Sequence, residues 1–278
     1  MIVYLVLCAP LVAYLLYRLA TRLWLHHRKK RRELFAASPF PLEWRIFLTH
    51  NFSLYRKLPS PLQRKLERCI NIFLNEKVFV GCNGCVITDE IRVLIAAQAC
   101  LLILGAETDY YPGFKTILVY PETYIAKATR QDGVLRSETV DARAGESWYR
   151  GPVIVAWDQV LQGAREGSDG HNVVLHEFAH KLDEANSHMD GLPVLPRPEQ
   201  YSSWAAVLTE EFNKIQSHKD PVINSYGATT AAEFFAVVTE TFFEKPRQLQ
   251  RHHPQLYRQF ALYYQIDPAT WGDNKDAV

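Results

Sequence analysis

The chain has 278 residues, of which 48% are hydrophobic and 22% charged; this usage is typical of globular proteins and excludes collagen-like, low-complexity and wholly disordered chains. The formal net charge of +1 hides an asymmetry, because residues 1–32 carry seven Lys and Arg side chains and no acid. The remaining 24 basic residues are outnumbered by 30 acidic residues, and an acidic body argues against direct nucleic-acid binding. Five cysteines are too few, and odd in number, for a disulfide framework, so they indicate a reducing compartment.

The N-terminus begins with an apolar run from Met1 to Leu25 that only Arg18 and Arg22 interrupt. About 20 apolar residues span a bilayer. The basic block at 26–32 follows directly, and such a block marks the cytoplasmic end of a spanning helix. A cleaved signal peptide has the reverse order of charge and apolar run. The alternative is a membrane-surface or partner-binding helix on a soluble cytoplasmic protein.

These features predict a single-pass protein of the inner membrane, with its N-terminus outside and its body in the cytoplasm. We predict a transmembrane anchor at 1–25, a basic juxtamembrane linker at 26–40 and a catalytic body at 41–278.

The body shows an order of segments typical of an α+β protein. Amphipathic helices are predicted on both sides of Leu58-Pro59-Ser60-Pro61, and Thr88 opens a further helix that runs to about Leu104. The apolar part of that helix is too short to span a membrane, so we expect it in the core. Short strands are predicted at 78–80, 116–120 and 153–157, and the pattern beyond Gly163 is helical. The fold class is therefore α+β, rich in helix, with a small mixed sheet.

The segment His176-Glu177-Phe178-Ala179-His180 carries the pattern H-E-x-x-H in a stretch without Gly or Pro. Histidines four residues apart lie on one face of a helix, so His176 and His180 can bind a single Zn²⁺. Glu177 can take a proton from zinc-bound water and later deliver it to the leaving amine, and hydrolysis of a peptide bond needs both steps. The pattern therefore predicts one catalytic zinc ion, with a structural histidine pair as the alternative.

A catalytic zinc needs a third protein ligand while one position stays open. The extended metzincin pattern requires Gly and His where this chain has Asp183 and Asn186, so that class is excluded. His188 lies in the polar loop after this helix and is a weaker candidate for the third ligand.

A carboxylate on a second helix is the stronger candidate for the third ligand. Glu233, Glu240 and Glu244 are spaced by seven and four residues, which places them along one side of an otherwise apolar helix. Glu233 also fits a capping box with Thr230, and Glu240 and Glu244 also fit a solvated face. Spacing favours Glu233 over Glu240 only slightly.

Three segments together resemble a known family. Residues 151–155, 176–183 and 232–240 are similar to the Mlc titration factor A family of zinc-dependent peptidases, and the likeness runs from about Leu58 to the C-terminus. These gluzincin-like proteins are related to the protease domain of anthrax lethal factor, which implies a zincin-like fold. The resemblance implies that Glu233 is the third zinc ligand. It also implies that the hydroxyl of Tyr226, seven residues earlier, assists the oxyanion.

The resemblance further implies aminopeptidase-type activity on small substrates and binding to a transcription repressor, Mlc. The expected partners are therefore a peptide or protein substrate, a transcription repressor, and the membrane through the N-terminal helix. That apolar helix departs from the soluble pattern of the family. A membrane-tethered regulatory protein that sequesters a repressor, with structural zinc, is the alternative function. A hydrolase of non-peptide amides would use the same site.

Three further sequence features each allow two interpretations. Asp183 is one turn after His180, so it can either accept the second ring N–H of a ligand histidine or cap the helix and pair with Lys181. Cys82-x-x-Cys85 is at most half of a structural zinc site and is more typical of a free-thiol turn. The strand at 153–157 either pairs with an extended substrate or is a plain core strand.

Overall fold

The computed structural model describes residues 2–105, 109–122, 124–132, 135–143, 145–147 and 151–272. The side chains of 2–12 and of 124–147 are not described. The chain divides into two units, residues 1–39 and residues 40–278.

The N-terminal unit consists of one helix, α1, over Ile2–Ala37. Its last two turns contain Arg31, Arg32, Leu34 and two alanines, which favour helix. Ser38 precedes Pro39, a position that disfavours continued helix. The helix therefore continues through residues 26–37, which were predicted to form a linker. Within the described part of the chain, no helix combines the length and the apolar character that crossing a membrane requires. The predicted transmembrane anchor thus has no support from the structure.

The second unit contains one four-stranded sheet and one separate hairpin. In the sheet the order is β1-β2-β6-β5, where β1, β2 and β6 are parallel and β5 is antiparallel to β6. The antiparallel pair β3-β4 forms the hairpin. The strands are β1 (Val78–Gly81), β2 (Thr116–Tyr120), β3 (Tyr124–Asp132), β4 (Leu135–Arg143), β5 (Gly145–Ser147) and β6 (Val153–Ala156). The prediction of a small mixed sheet is confirmed, and the three predicted strands correspond to β1, β2 and β6.

Ten helices of the second unit surround this sheet in the described part of the chain, which confirms the helix-rich α+β class. They are α2 (Leu42–Asn51), α3 (Ser53–Lys57), α4 (Ser60–Glu76), α5 (Asp89–Leu101), α6 (Trp157–Arg165), α7 (Val173–Asp183), α8 (Gln200–Ser217), α9 (Ala231–Glu244), α10 (Pro246–His252) and α11 (Pro254–Tyr264). Short 3₁₀ turns lie at Glu184–Asn186, Ser225–Ala228 and Pro268–Thr270.

Two helices, α5 and α9, run through the core. The Thr88 hydroxyl caps α5 as predicted, by accepting the N–H of Ile91, and residues 93–104 of this region are buried. Helix α9 is buried on nearly every side, and aromatic rings from α8 and α11 pack on it through Trp204, Phe235 and Phe260. A helix held this firmly in the core gives its few polar side chains fixed positions.

Candidate metal centre

Helix α7 carries the H-E-x-x-H pattern, and its start is set by Asn172. The Asn172 side-chain oxygen accepts the N–H groups of Val174 and Leu175, at 3.2 and 3.1 Å, so two otherwise unpaired donors of the first turn are satisfied. Leu175 and Phe178 on one face of α7 are fully buried in the core. His176 and His180 project from another face, which is the arrangement that the four-residue spacing predicts.

The structure brings His176, His180 and Glu233 together. The Nε2 atom of His176 lies 2.9 Å from Oε2 of Glu233, and Nε2 of His180 lies 3.5 Å from the same oxygen. The two Nε2 atoms are 3.2 Å apart. One ligand atom from each residue thus falls within 4.8 Å of the others, so the three side chains can hold one metal ion.

Charge at this centre is strongly perturbed. Burial lowers the pKa of His176, but the carboxylates of Glu233 and Glu240 outweigh burial and raise it to about 10. Burial raises the pKa of Glu233, while the neighbouring side chains of His176 and His180 lower it to about 2. The carboxylates therefore favour positive charge on His176, and a bound cation would take the place of the proton that carries it.

The donor chemistry fits a metal ion. The buried Oε2 atom of Glu233 makes no hydrogen bond that satisfies it, although two imidazole nitrogens lie within 3.5 Å. Two neutral imidazoles and one carboxylate that converge on a point can be satisfied together by a divalent cation.

Sequence reasoning missed the role of Glu240. Its Oε1 atom lies 2.8 Å from Nδ1 of His176, and its Oε2 atom accepts the backbone N–H of Asn172. The side chain is only 3% exposed. A carboxylate behind Nδ1 fixes the ring so that Nε2 faces the metal position. The alternative interpretation of Glu240 and Glu244 as a solvated face is excluded, because both residues are buried.

Glu244 ties the other end of α9 to the loop before α7. Its Oε2 atom accepts the N–H groups of Gly170 and His171, at 2.9 and 3.1 Å, and its Oε1 atom accepts the Asn172 side-chain amide at 3.1 Å. Together with Glu240 it anchors the start of the helix that carries both histidines.

The two predicted catalytic side chains, Glu177 and Tyr226, lie close to His176. Glu177 is buried on α7 between the histidines, and its charge contributes to the raised pKa of His176. The Tyr226 ring centroid is 6.0 Å from that of His176, and the Tyr226 side chain is 54% exposed. Its backbone N–H donates to the Asn224 side chain at 2.9 Å, which holds the 3₁₀ turn ahead of α9.

The geometry contradicts two of the interpretations considered above: Asp183 as the support of a ligand histidine, and the strand at 153–157 as a partner for an extended substrate. The Oδ2 atom of Asp183 accepts the backbone N–H of Gly191 at 2.8 Å, so this carboxylate closes the following loop, and Glu240 supports a ligand histidine in its place. Burial raises the pKa of Asp183 to about 6. Strand β6 is paired on both edges, with β2 and with β5, so it has no free edge for a substrate.

Two other candidates lie outside the metal centre. His188 is exposed and does not join the three ligands. Cys82 and Cys85 are free thiols on a turn closed by a 3.0 Å backbone hydrogen bond between them. The intervening Asn83 and Gly84 have φ angles of 51° and 79°, which two-residue turns of this kind require.

Comparison with known proteins places most of the chain in one family. Residues 24–265 match the sequence profile of the glucose-regulated metallo-peptidase M90 family.

Individual relatives support the same match. An uncharacterized protein of Synechocystis sp. is 43% identical over 251 residues, which cover 88% of this chain and 90% of the relative. Mlc titration factor A of Klebsiella pneumoniae (strain 342) is 34% identical over 215 residues, covering 74% and 80%. Mlc titration factor A of Yersinia pestis (strain Pestoides F) is 31% identical over 227 residues, covering 78% and 83%.

Proposed function

The chain belongs to the glucose-regulated metallo-peptidase M90 family, and on that premise we propose that it is a zinc-dependent peptidase. His176, His180 and Glu233 would hold one Zn²⁺, while Glu177 is the general base and acid and Tyr226 assists the oxyanion. The observation that carries this proposal is the approach of two imidazole nitrogens and one carboxylate oxygen to within 4.8 Å, from two separate helices. Residues 41–278 would form the peptidase domain, with a zincin-like fold.

A bound zinc ion would lower the pKa of a water molecule and polarise the carbonyl of the scissile bond. Glu177 accepts the proton of the attacking water and passes it to the departing amine, so the proton count of hydrolysis is balanced. The Tyr226 hydroxyl donates a hydrogen bond to the carbonyl oxygen as negative charge develops there. Tyr226 is an exposed residue, which suits contact with a substrate that approaches from solvent. With a metal bound, Glu240 would accept the Nδ1 proton of His176, 2.8 Å away, and so leave the Nε2 atom of this ring for the metal.

Substitution of the general base tests the proposal. Glu177→Gln keeps the size of the side chain but cannot accept a proton, so we expect peptide hydrolysis to fall by about 10²- to 10⁴-fold. Zinc content, measured by elemental analysis, should stay at that of the natural chain, because Glu177 is not a ligand. A peptide-library digest supplies substrates without a prior choice, and it also separates aminopeptidase from endopeptidase action. Hydrolysis at the unsubstituted rate by a zinc-loaded Glu177→Gln protein would contradict the assignment.

A second candidate function rests on the printed name of several relatives, Mlc titration factor A. This name favours binding of a transcription repressor, with the metal in a structural role. Chelation separates the two candidates, because a peptidase loses hydrolysis when its metal is removed, whereas a repressor-binding protein has none to lose. If Glu177→Gln abolishes hydrolysis and repressor capture persists, both functions belong to the chain.

A further inference from the structure

A small cavity lies at the end of α9 opposite to the metal centre. Its volume is about 260 Å³, and Phe243, Glu244, Lys245 and Arg247 line it together with Lys57 and Trp271. Glu233 is in the first turn of α9 and Glu244 in its last, so the cavity is about 16 Å along the helix from the metal ligands. It is therefore a separate site.

The cavity is rich in positive charge. Lys57 donates to the carbonyl of Gly167 at 2.9 Å, and Arg247 donates to the carbonyl of Ala269 at 3.3 Å, so both contact neutral acceptors. In the part of the chain that the structure describes, no carboxylate forms an ion pair with Lys57, Lys245 or Arg247. Three cations thus share one cavity, and none of them forms an ion pair with a carboxylate of the described residues.

The single acid of the lining does not neutralise these cations. Burial, together with the neighbouring carboxylates of Asp169 and Glu240, raises the pKa of Glu244 to about 8, although the Asn172 amide lowers it. Glu244 is therefore largely uncharged near neutral pH. Its oxygens accept hydrogen bonds from Gly170, His171 and Asn172, so Glu244 stabilises the loop before α7.

The loop before α7 leaves space for the side chain of Lys245. Gly170 has a φ of +75°, and a Cβ atom there would lie 3.1 Å from Nζ of Lys245. Glycine is therefore the residue that adopts this backbone conformation and leaves room for the ammonium group. The aromatic rings of Phe243 and Trp271, with centroids 6.2 Å apart, form an apolar wall.

We propose that this cavity binds a small oxyanion, a phosphoryl or carboxylate group carried by a molecule of modest size. Lys57 and Lys245 supply point charges, and the planar guanidinium of Arg247 offers paired donors to such a group. The cavity is smaller than the 300–1,000 Å³ typical of drug-sized ligands, so a bare anion or a short organic anion fits its size. The apolar wall would cover the non-polar part of an organic ligand.

Calorimetric titration of the full-length, metal-loaded chain tests this site independently of hydrolysis, with inorganic phosphate and acetate as separate probes. We expect saturable binding of at least one probe, and the probe that binds assigns the phosphoryl or the carboxylate chemistry. The variant with Lys245→Gln and Arg247→Gln should bind at least about tenfold more weakly, because two of the three charges are gone. Arg251→Gln is the matched control, since Arg251 is exposed on α10, the helix that contains Arg247, and does not line the cavity.

Two results would overturn the proposal. One is the absence of saturable binding of both probes to the unsubstituted chain. The other is equal binding by the double variant, which is what an anion bound at the metal centre would produce. Equal zinc content and equal circular dichroism of the three proteins show that the substitutions leave the fold intact, and a double variant that does not fold is replaced by Lys245→Gln alone.

Discussion

The two ends of helix α9 present the same residue type in opposite environments. Glu233 in the first turn is 21% exposed and faces two imidazoles, whereas Glu240 and Glu244 in the last turns are buried against the start of α7. The pKa of Glu233 is about 2, and that of Glu244 is about 8. The side chains of His176 and His180 outweigh burial at Glu233, whereas at Glu244 burial outweighs the hydrogen bond from Asn172. The helix dipole adds to the same difference.

This contrast shows that the spacing of glutamates along a helix does not by itself determine which of them can bind a metal. All three glutamates lie on the side of α9 that faces α7, and each meets a different level of α7 and its leading loop. The residue opposite the imidazole Nε2 atoms becomes a candidate ligand. The residues opposite Nδ1 and the backbone N–H groups become supports.

The largest expected effect comes from Glu233→Gln, which removes the charge of the proposed third ligand but keeps the side-chain volume. We expect zinc affinity to fall by more than about a hundredfold, because even outer partners of ligands contribute 10- to 100-fold. Hydrolysis should be lost with the metal. Competition with a chromogenic zinc chelator measures the affinity, and an affinity equal to that of the unsubstituted chain would break the assignment of Glu233 as a ligand.

A smaller effect is expected from Glu240→Gln. The amide still reaches Nδ1 of His176 but carries no charge, so we expect zinc affinity to fall by about 10- to 100-fold while zinc still binds at saturation. The same chelator competition compares both variants on one scale. If Glu240→Gln weakened zinc more than Glu233→Gln, the two carboxylates would have exchanged roles and the comparison would be reversed.

The third prediction concerns Glu244, whose effect appears in the pH dependence of stability and not in zinc binding. Because its pKa is raised from 4.5 to about 8 on folding, the folded chain binds this proton more tightly than the unfolded chain does. The contribution is fully present below about pH 4.5 and is lost as the pH rises towards 8, by up to about 1.4 kcal/mol per pH unit.

Denaturant titrations across this range should therefore show a shallower decline in the free energy of unfolding for Glu244→Gln than for the unsubstituted chain. The exposed Glu199, substituted to Gln, is the control and should leave the slope unchanged. Identical slopes for the Glu244→Gln variant and the unsubstituted chain would show that Glu244 titrates normally.

Much of the fold follows from local patterns in the chain. The Thr88 cap, the strands β1, β2 and β6 and the histidine-bearing helix depend on short-range propensity and on apolar periodicity, which are readable from neighbours in sequence. The pair His176 and His180 is likewise a local feature, since four residues complete about one helical turn. The family resemblance identified Glu233 as the third metal ligand and Tyr226 as a catalytic residue. Spacing alone had left the choice of ligand between Glu233 and Glu240 open.

The remaining features depend on contacts between distant parts of the chain. The role of Glu240 behind His176 joins residues 64 positions apart, and the pairing of β6 on both edges depends on which strands become neighbours. Asp183 was in reach of a histidine by helical spacing, but Gly191 offered its carboxylate a backbone N–H.

The amino-acid sequence alone thus established the class of fold, the helix that carries the histidine pair and the residue types able to bind a metal. Only the tertiary structure decided which acid faces the imidazoles, which acids support α7 and where three cations meet at the end of α9. The physical reason is that burial and partner distance set the charge of a side chain, and both arise when separate helices pack together.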